Sequence, residues 1–200
     1  MFKLNDLLDD NVQIDNKDYH VHMAFDNVMD ALDALSDLEM NQITRMESFI
    51  EIMLQDDDIC DELDFENQGE ITQLIIEKIN TEPIESQPFD VDGEPMPKAR
   101  AENNEDNVIS FDIDAKYIYA AFMQSYHLDL IEQQGKLHWT KFSALLNALP
   151  DDTLMRQIID IRKTDLSDIK DKKEKSRMKK LKRQFALPDS QLEEGGENYG

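Results

Sequence analysis

The stretch Phe25-Asp26-Asn27-Val28-Met29-Asp30-Ala31-Leu32-Asp33-Ala34-Leu35-Ser36-Asp37-Leu38 decides the fold class. Phe25, Val28, Met29, Leu32, Leu35 and Leu38 recur at intervals of three and four, the period of one buried helix face. The residues between them are largely acidic, which suits an outer face in water. A second stripe of the same period, Ile43, Met46, Phe49, Ile50, Met53 and Leu54, follows Asn41. Asparagine suits a helix start, because its side-chain oxygen accepts from the free N–H groups there. The run Asp56-Asp57-Asp58 closes this second helix. A third stripe, Ile71, Leu74, Ile75 and Ile79, ends near Asn80.

Upstream, the period changes. Val12 and Ile14, then Tyr19, Val21 and Met23, alternate at two, with Asp15-Asn16-Lys17-Asp18 between them. That pattern predicts a short β-hairpin with a polar turn. A lone hairpin is marginally stable, so it must pack on a helix.

Downstream, residues 81–107 lose all period. They hold Pro83, Pro88, Pro95 and Pro97, many acids and almost no large apolar side chains. The expectation is a flexible acidic linker. Beyond it helical patterns resume. Asp112 or Asp114 could cap a helix with the stripe Ile118, Ala121, Phe122 and Tyr126. Trp139, Phe142, Leu145, Leu146 and Leu149 form the next stripe, stopped by Pro150. Asp151-Asp152-Thr153 opens a third carrying Leu154, Ile158 and Ile161. Met178, Leu181 and Phe185 give a thin stripe to a last, basic helix, which stops at Leu187-Pro188. The reading is a mainly α protein: two small helical units, 1–80 with the hairpin and 108–187, joined by the 81–107 linker. The polar, glycine-rich stretch 188–200 is expected to be a disordered tail.

Composition excludes several classes. The chain has 200 residues, 40% hydrophobic, with 44 acidic and 21 basic side chains and a formal net charge of -23. Such a chain does not present the net basic face that duplex binding requires. No run of 18 apolar residues exists, which argues against a membrane span. The start Met1-Phe2-Lys3-Leu4-Asn5-Asp6 lacks the pattern of a signal peptide, and the single Cys60 forms no internal disulfide. A protein that stays in the cytoplasm is expected. The charge is also unevenly spread, about -26 over residues 1–160 and +7 over 161–187.

The search for chemistry is mostly negative. His20 and His22, two apart on a predicted strand, lack a third ligand motif. Asp90-Val91-Asp92-Gly93-Glu94 fails as a calcium loop, because Pro95 falls where the loop needs its glycine. Acidic neighbours of Cys60 disfavour the thiolate that a nucleophile needs. Glycine loops for phosphate and serine-nucleophile motifs are missing. The expectation is a non-enzymatic protein with no catalytic residue, no cofactor and no metal. The basic helix, with Lys172, Lys173, Lys179, Lys180 and Arg183, is the feature left to meet a partner. Its readings are an acidic protein surface, the chain's own acidic body, RNA or an anionic membrane. Trp139 and Phe142 are read as core or as partner anchors.

The second half also carries an ordered series of short motifs. These are Ile109–Phe122, Tyr126-His127-Leu128-Asp129-Leu130, Leu137–Phe142, Leu145–Pro150, Asp165–Lys172 and Leu181–Pro188. The series resembles the phage "gene product fifteen" family of siphophages and prophages of Gram-positive bacteria, over about residues 108–188. The resemblance implies a protein of the tail gene module and a tail assembly chaperone that keeps the tape measure protein soluble in the host cytoplasm, with other tail assembly proteins or the chain itself as further partners. The alternatives are a structural tail or connector component, or a nucleic-acid-binding regulator acting through the basic helix. The family tends to carry two tryptophans where this chain has Trp139-Thr140.

Overall fold

The structure, a computed structural model, describes residues 7–80 and 108–187. It is mainly helical, with eight helices and one two-stranded antiparallel hairpin among the described residues. The chain forms two compact units. Of the described residues, the first takes 7–80 with 131–147, the second 108–130 with 148–187. The expected linker 81–107 and tail 188–200 lie outside the described residues.

In the first unit, β1 (Asn11–Ile14) and β2 (Lys17–His20) pair in the register Val12 to Tyr19 and Ile14 to Lys17. The connection is the two-residue turn Asp15-Asn16, with φ of 49° and 60°. Two left-handed residues match the twist of a hairpin, and Asp and Asn tolerate that conformation better than most side chains. The turn is therefore tighter than expected, and Lys17 and Asp18 belong to β2. Val12 and Ile14 are buried where β1 packs on α4 (Phe65–Ile79).

Helices α1 (Phe25–Ser36) and α2 (Gln42–Leu54) form the main pair of this unit. Asn41 caps α2, its side chain accepting from the N–H groups of Ile43 and Thr44 at 3.0 and 3.1 Å. Phe49, Ile50 and Met53 are fully buried against Val28 and other core residues. Gln55 ends α2 in the left-handed region. A single turn, α3 (Ile59–Glu62), follows; it is too short to leave a periodic signal. Asp64 caps α4, accepting from the N–H of Asn67 at 2.9 Å. Gln68, Ile71, Ile75 and Ile79 form its buried face, and the Gln68 amide donates to the carbonyls of Cys60 and Leu63.

The expected division at the linker does not hold, because residues 131–147 pack with the first unit. Three interactions explain it. The N–H of Phe25 donates to the carbonyl of Leu137 and the N–H of Trp139 to that of Met23, an isolated β-bridge. In α6 (Trp139–Asn147), the Phe142 ring stacks on Phe25, centroids 5.0 Å apart, and on Trp139 at 5.6 Å. The Trp139 indole N–H donates to the carbonyl of Ile79 at 2.9 Å.

The second unit is α5 (Phe111–Tyr126), α7 (Leu154–Lys163) and α8 (Lys172–Phe185). The cap of α5 is Ser110, not Asp112 or Asp114. Its hydroxyl accepts from Ile113 N–H while the Asp114 carboxylate accepts from Ser110 N–H at 3.1 Å, a reciprocal arrangement. Thr153 caps α7. The buried face of α7 is Met155, Ile158 and Ile159; Leu154, expected in the stripe, points to solvent.

The charged centre of this unit is Arg162. Its guanidinium bonds both oxygens of the fully buried Asp114, and donates to the carbonyls of Val108 and Phe185, each at 2.7 Å. Lys182 in turn donates to the carbonyls of Arg162 and Thr164 at 3.0 and 2.6 Å, covering acceptors that the end of α7 leaves free. These bonds fasten α8 to α7.

Candidate interaction surface

The two groups of sequence-predicted site residues separate in the structure. Trp139 and Phe142 are core residues of the first unit, 7% and 0% exposed. Neither ring is offered to a partner on this surface. Thr140, next to Trp139, is half-buried. Lys172, Lys173, Lys179, Lys180 and Arg183 are all exposed on α8. Asp171 caps this helix, accepting from the N–H groups of Lys173 and Glu174. The stripe Met178, Leu181 and Phe185 is half-buried, with Phe185 edge-on to Tyr117 at 6.3 Å. Helix α8 therefore turns its few apolar groups inward and presents charge outward.

The apolar surface lies elsewhere, at the α1–α2 connection. Leu38 is 87% exposed, Ile43 50% and Met40 39%. Leu35 and Met46, beside them, are half-buried. The sequence pattern had placed Leu38 and Ile43 in the buried stripes. Leu38 lies past the end of α1, and Ile43 sits in the first turn of α2. Asp37 and Glu39 flank the patch. Scattered exposed apolar residues are ordinary; here three fall within six positions of one connection.

The remaining candidates show little built chemistry. The rings of His20 and His22 meet edge to face at 5.0 Å. Partial burial, and then the neighbouring His20, hold the His22 pKa below the ordinary histidine value. Among the described residues no group of three or more His, Cys, Asp or Glu side chains is placed to hold a metal ion. Burial, reinforced by Glu51, Glu47, Asp61 and Asp56, pushes the Cys60 thiol up to about 11. A thiol so placed is almost wholly protonated at neutral pH and is a poor nucleophile. Burial also raises Glu51, with Asp57 and Glu47 adding to it. A shallow groove near Glu51 is lined by Asn27, Ser48, Gln55 and Asp57. The Asn27 amide there is already occupied by the carbonyls of His22 and Ile52. Asp90–Glu94 lies outside the described residues. No described helix is long and apolar enough to cross a membrane.

A family model described as "Bacteriophage Gp15 protein" matches residues 4–187, nearly the whole chain, both units included. The chain belongs to that family. The match extends well upstream of the motif series at 108–188, so the hairpin and α1–α4 are family features too. No curated protein and no solved structure matches the chain. Membership in the Gp15 family places the chain among phage proteins. Its biochemical role must be argued from the surface itself.

Proposed function

We propose that this Gp15 family member is a tail assembly chaperone that binds the tape measure protein in the host cytoplasm and keeps it soluble until the tail tube forms around it. The observation that supports this most is the exposed apolar patch Leu38, Met40 and Ile43 on an otherwise strongly acidic protein. A tape measure is expected to be a long helical chain whose apolar stripes are bare before assembly. A chaperone for it needs a local apolar contact and a solubilising charge. The patch offers the first, with methionine at its centre; the unbranched thioether repacks against different partners at little cost. The net charge of -23 offers the second, since a complex that inherits it resists self-association. Full burial of an exposed side chain contributes about 1.5–3 kcal/mol; Leu38 approaches that, while the partly covered Met40 and Ile43 add less, which suits binding that remains reversible.

The runner-up is a structural component kept in the finished tail. Co-expression with the tape measure protein of the same genome decides between binding and no binding. The proposal expects the tape measure to move from pellet to supernatant and to co-purify with the chain. Mass spectrometry of purified particles then separates the two roles, since a chaperone is absent from the particle and a structural component is present. A tape measure that stays in the pellet, with nothing co-purifying, removes the proposal.

A further inference from the structure

Helix α8 leaves most of its positive charge without an ion pair among the described residues. Lys172, Lys173, Lys175, Lys179, Lys180 and Arg183 are exposed, and none makes an ion pair with another described residue. The helix is held rigidly by Lys182, by the Arg162 bond to the Phe185 carbonyl and by the Tyr117–Phe185 contact. It is thus a stiff cationic rod of 14 residues, about 21 Å long.

The same chain carries a matching surface. Around α3, Asp56, Asp57, Asp58, Asp61, Glu62 and Asp64 are all exposed within nine positions. Among the described residues a single cation pairs with them, Lys17 with Glu62 at 3.4 Å, both ends well exposed. The resulting negative field reaches inward, because these acids contribute to the raised pKa values of Glu51 and Cys60. Phe65 stands beside them, 66% exposed, an apolar surface on which lysine methylene stems lie comfortably.

Other occupants of α8 fit less well. A membrane surface needs an apolar helix face beneath the cations, and here that face is turned onto α7 and Tyr117. A nucleic acid is a long polyanion, drawn against a chain of net charge -23. A short acidic protein surface needs no apolar helix face, and it presents its charge locally rather than as a long polyanion. We infer that α8 of one copy docks on the acidic shelf around α3 of a second copy. The contact is heterologous, because it joins two different surfaces. Each added copy leaves one helix and one shelf free, so association proceeds into a ring or an open array rather than stopping at a two-fold dimer. The net charge of each copy opposes this at long range, so the contact depends on the screening length of about 8 Å at physiological salt, which damps the long-range repulsion and leaves the close charge pairs.

The test is sedimentation velocity of the full chain at increasing concentration, in salt of about 150 mM and again at about 1 M. Wild type is expected to gain mass with concentration in the lower salt and to return to monomer in the higher. Two variants sharpen the result. One is Lys172→Glu/Lys173→Glu/Lys179→Glu/Lys180→Glu, the other Asp57→Lys/Asp58→Lys/Asp61→Lys. All seven positions are exposed, and unchanged circular dichroism confirms folding. Each variant alone is expected to stay monomeric, while an equimolar mixture associates, because it restores opposite charges across the contact. Wild type that stays monomeric at every concentration overturns the inference, as does a mixture that fails to associate. Binding of α8 within the same copy, to RNA or to anionic vesicles would all give the first of these results.

Discussion

Replacing Arg162 with methionine is the perturbation that most directly probes how α8 is held. Four hydrogen bonds leave one guanidinium: two to the Asp114 carboxylate and one each to the carbonyls of Val108 and Phe185. Asp114 is fully buried and the Arg162 side chain is only 10% exposed. Methionine fills similar volume but leaves a buried carboxylate with no counter-charge. Removing one partner of such a pair costs about 3–5 kcal/mol. A unit of this size has a urea slope near the low end of about 1–3 kcal/mol per molar, so the unfolding midpoint should fall by roughly 2 M or more. The loss should be confined to the second unit. The only tryptophan, Trp139, lies in the first unit, so its fluorescence is a built-in control. Urea titrations should show an early circular dichroism loss in Arg162→Met without an equal shift in tryptophan emission. Adding Asp114→Leu should recover much of the loss, because the uncompensated charge is gone. Carbonyl partners of Val108 and Phe185 stay unmet, so recovery is incomplete. A midpoint within about 0.5 M of wild type for the single variant, a shift of under about 1 kcal/mol on that slope, would refute this account of Arg162.

Other outcomes follow from the same structure. Iodoacetamide should label native Cys60 only slowly near pH 7.5 and rapidly in urea, because the thiol titrates at about 11 when folded; equal rates would contradict the burial. His22 should titrate by NMR below the ordinary histidine value, and His20→Gln should raise its pKa only part of the way, burial being the larger cause. Because the folded pKa is depressed, the contribution of His22 to stability is present above the unfolded pKa near 6.5 and is lost as pH falls through the folded value. Acid titrations of His22→Gln should therefore lose part of this destabilisation; an unchanged acid limb would contradict it. Trp139→Phe should cost about 1 kcal/mol through the lost bond to Ile79, and Trp139→Ala about 3–5 kcal/mol through the cavity. Full binding by a folded Trp139→Phe variant would agree with a core role for this ring.

Periodicity carried the helical class, because stripes such as that from Ile43 to Leu54 repeat for three turns or more. Asn41 was legible as a cap, since a small polar side chain next to an apolar stripe has little other use, while the opening Asp151-Asp152-Thr153 was legible as a helix start without showing that Thr153 is the residue that caps it. Other features were not legible. Ser110 lost to its acidic neighbours as a predicted cap because sequence does not say which oxygen faces the free N–H groups. Asp114 is one acid among 44, and its burial becomes visible only when Arg162 is seen beside it, 48 residues away. The placement of 131–147 with the first unit rests on the Phe25–Phe142 stack and the Trp139–Ile79 bond, both long-range. As for the surface, the cationic helix stood out from charge alone. The exposed apolar run did not, because Leu38 and Ile43 continue the helical period although Leu38 lies past the end of α1 and Ile43 is half exposed in the first turn of α2.

The central claim, that this chain shields an apolar client, is tested most directly by light scattering. Tape measure protein diluted from denaturant into buffer should scatter strongly alone and little with an equal amount of the chain present. The account predicts that this protection survives high salt, because apolar contact carries it. It also predicts loss of protection in a folded Leu38→Asp/Met40→Asp/Ile43→Asp variant. Undiminished scattering with wild type, or full protection by that variant, would contradict it.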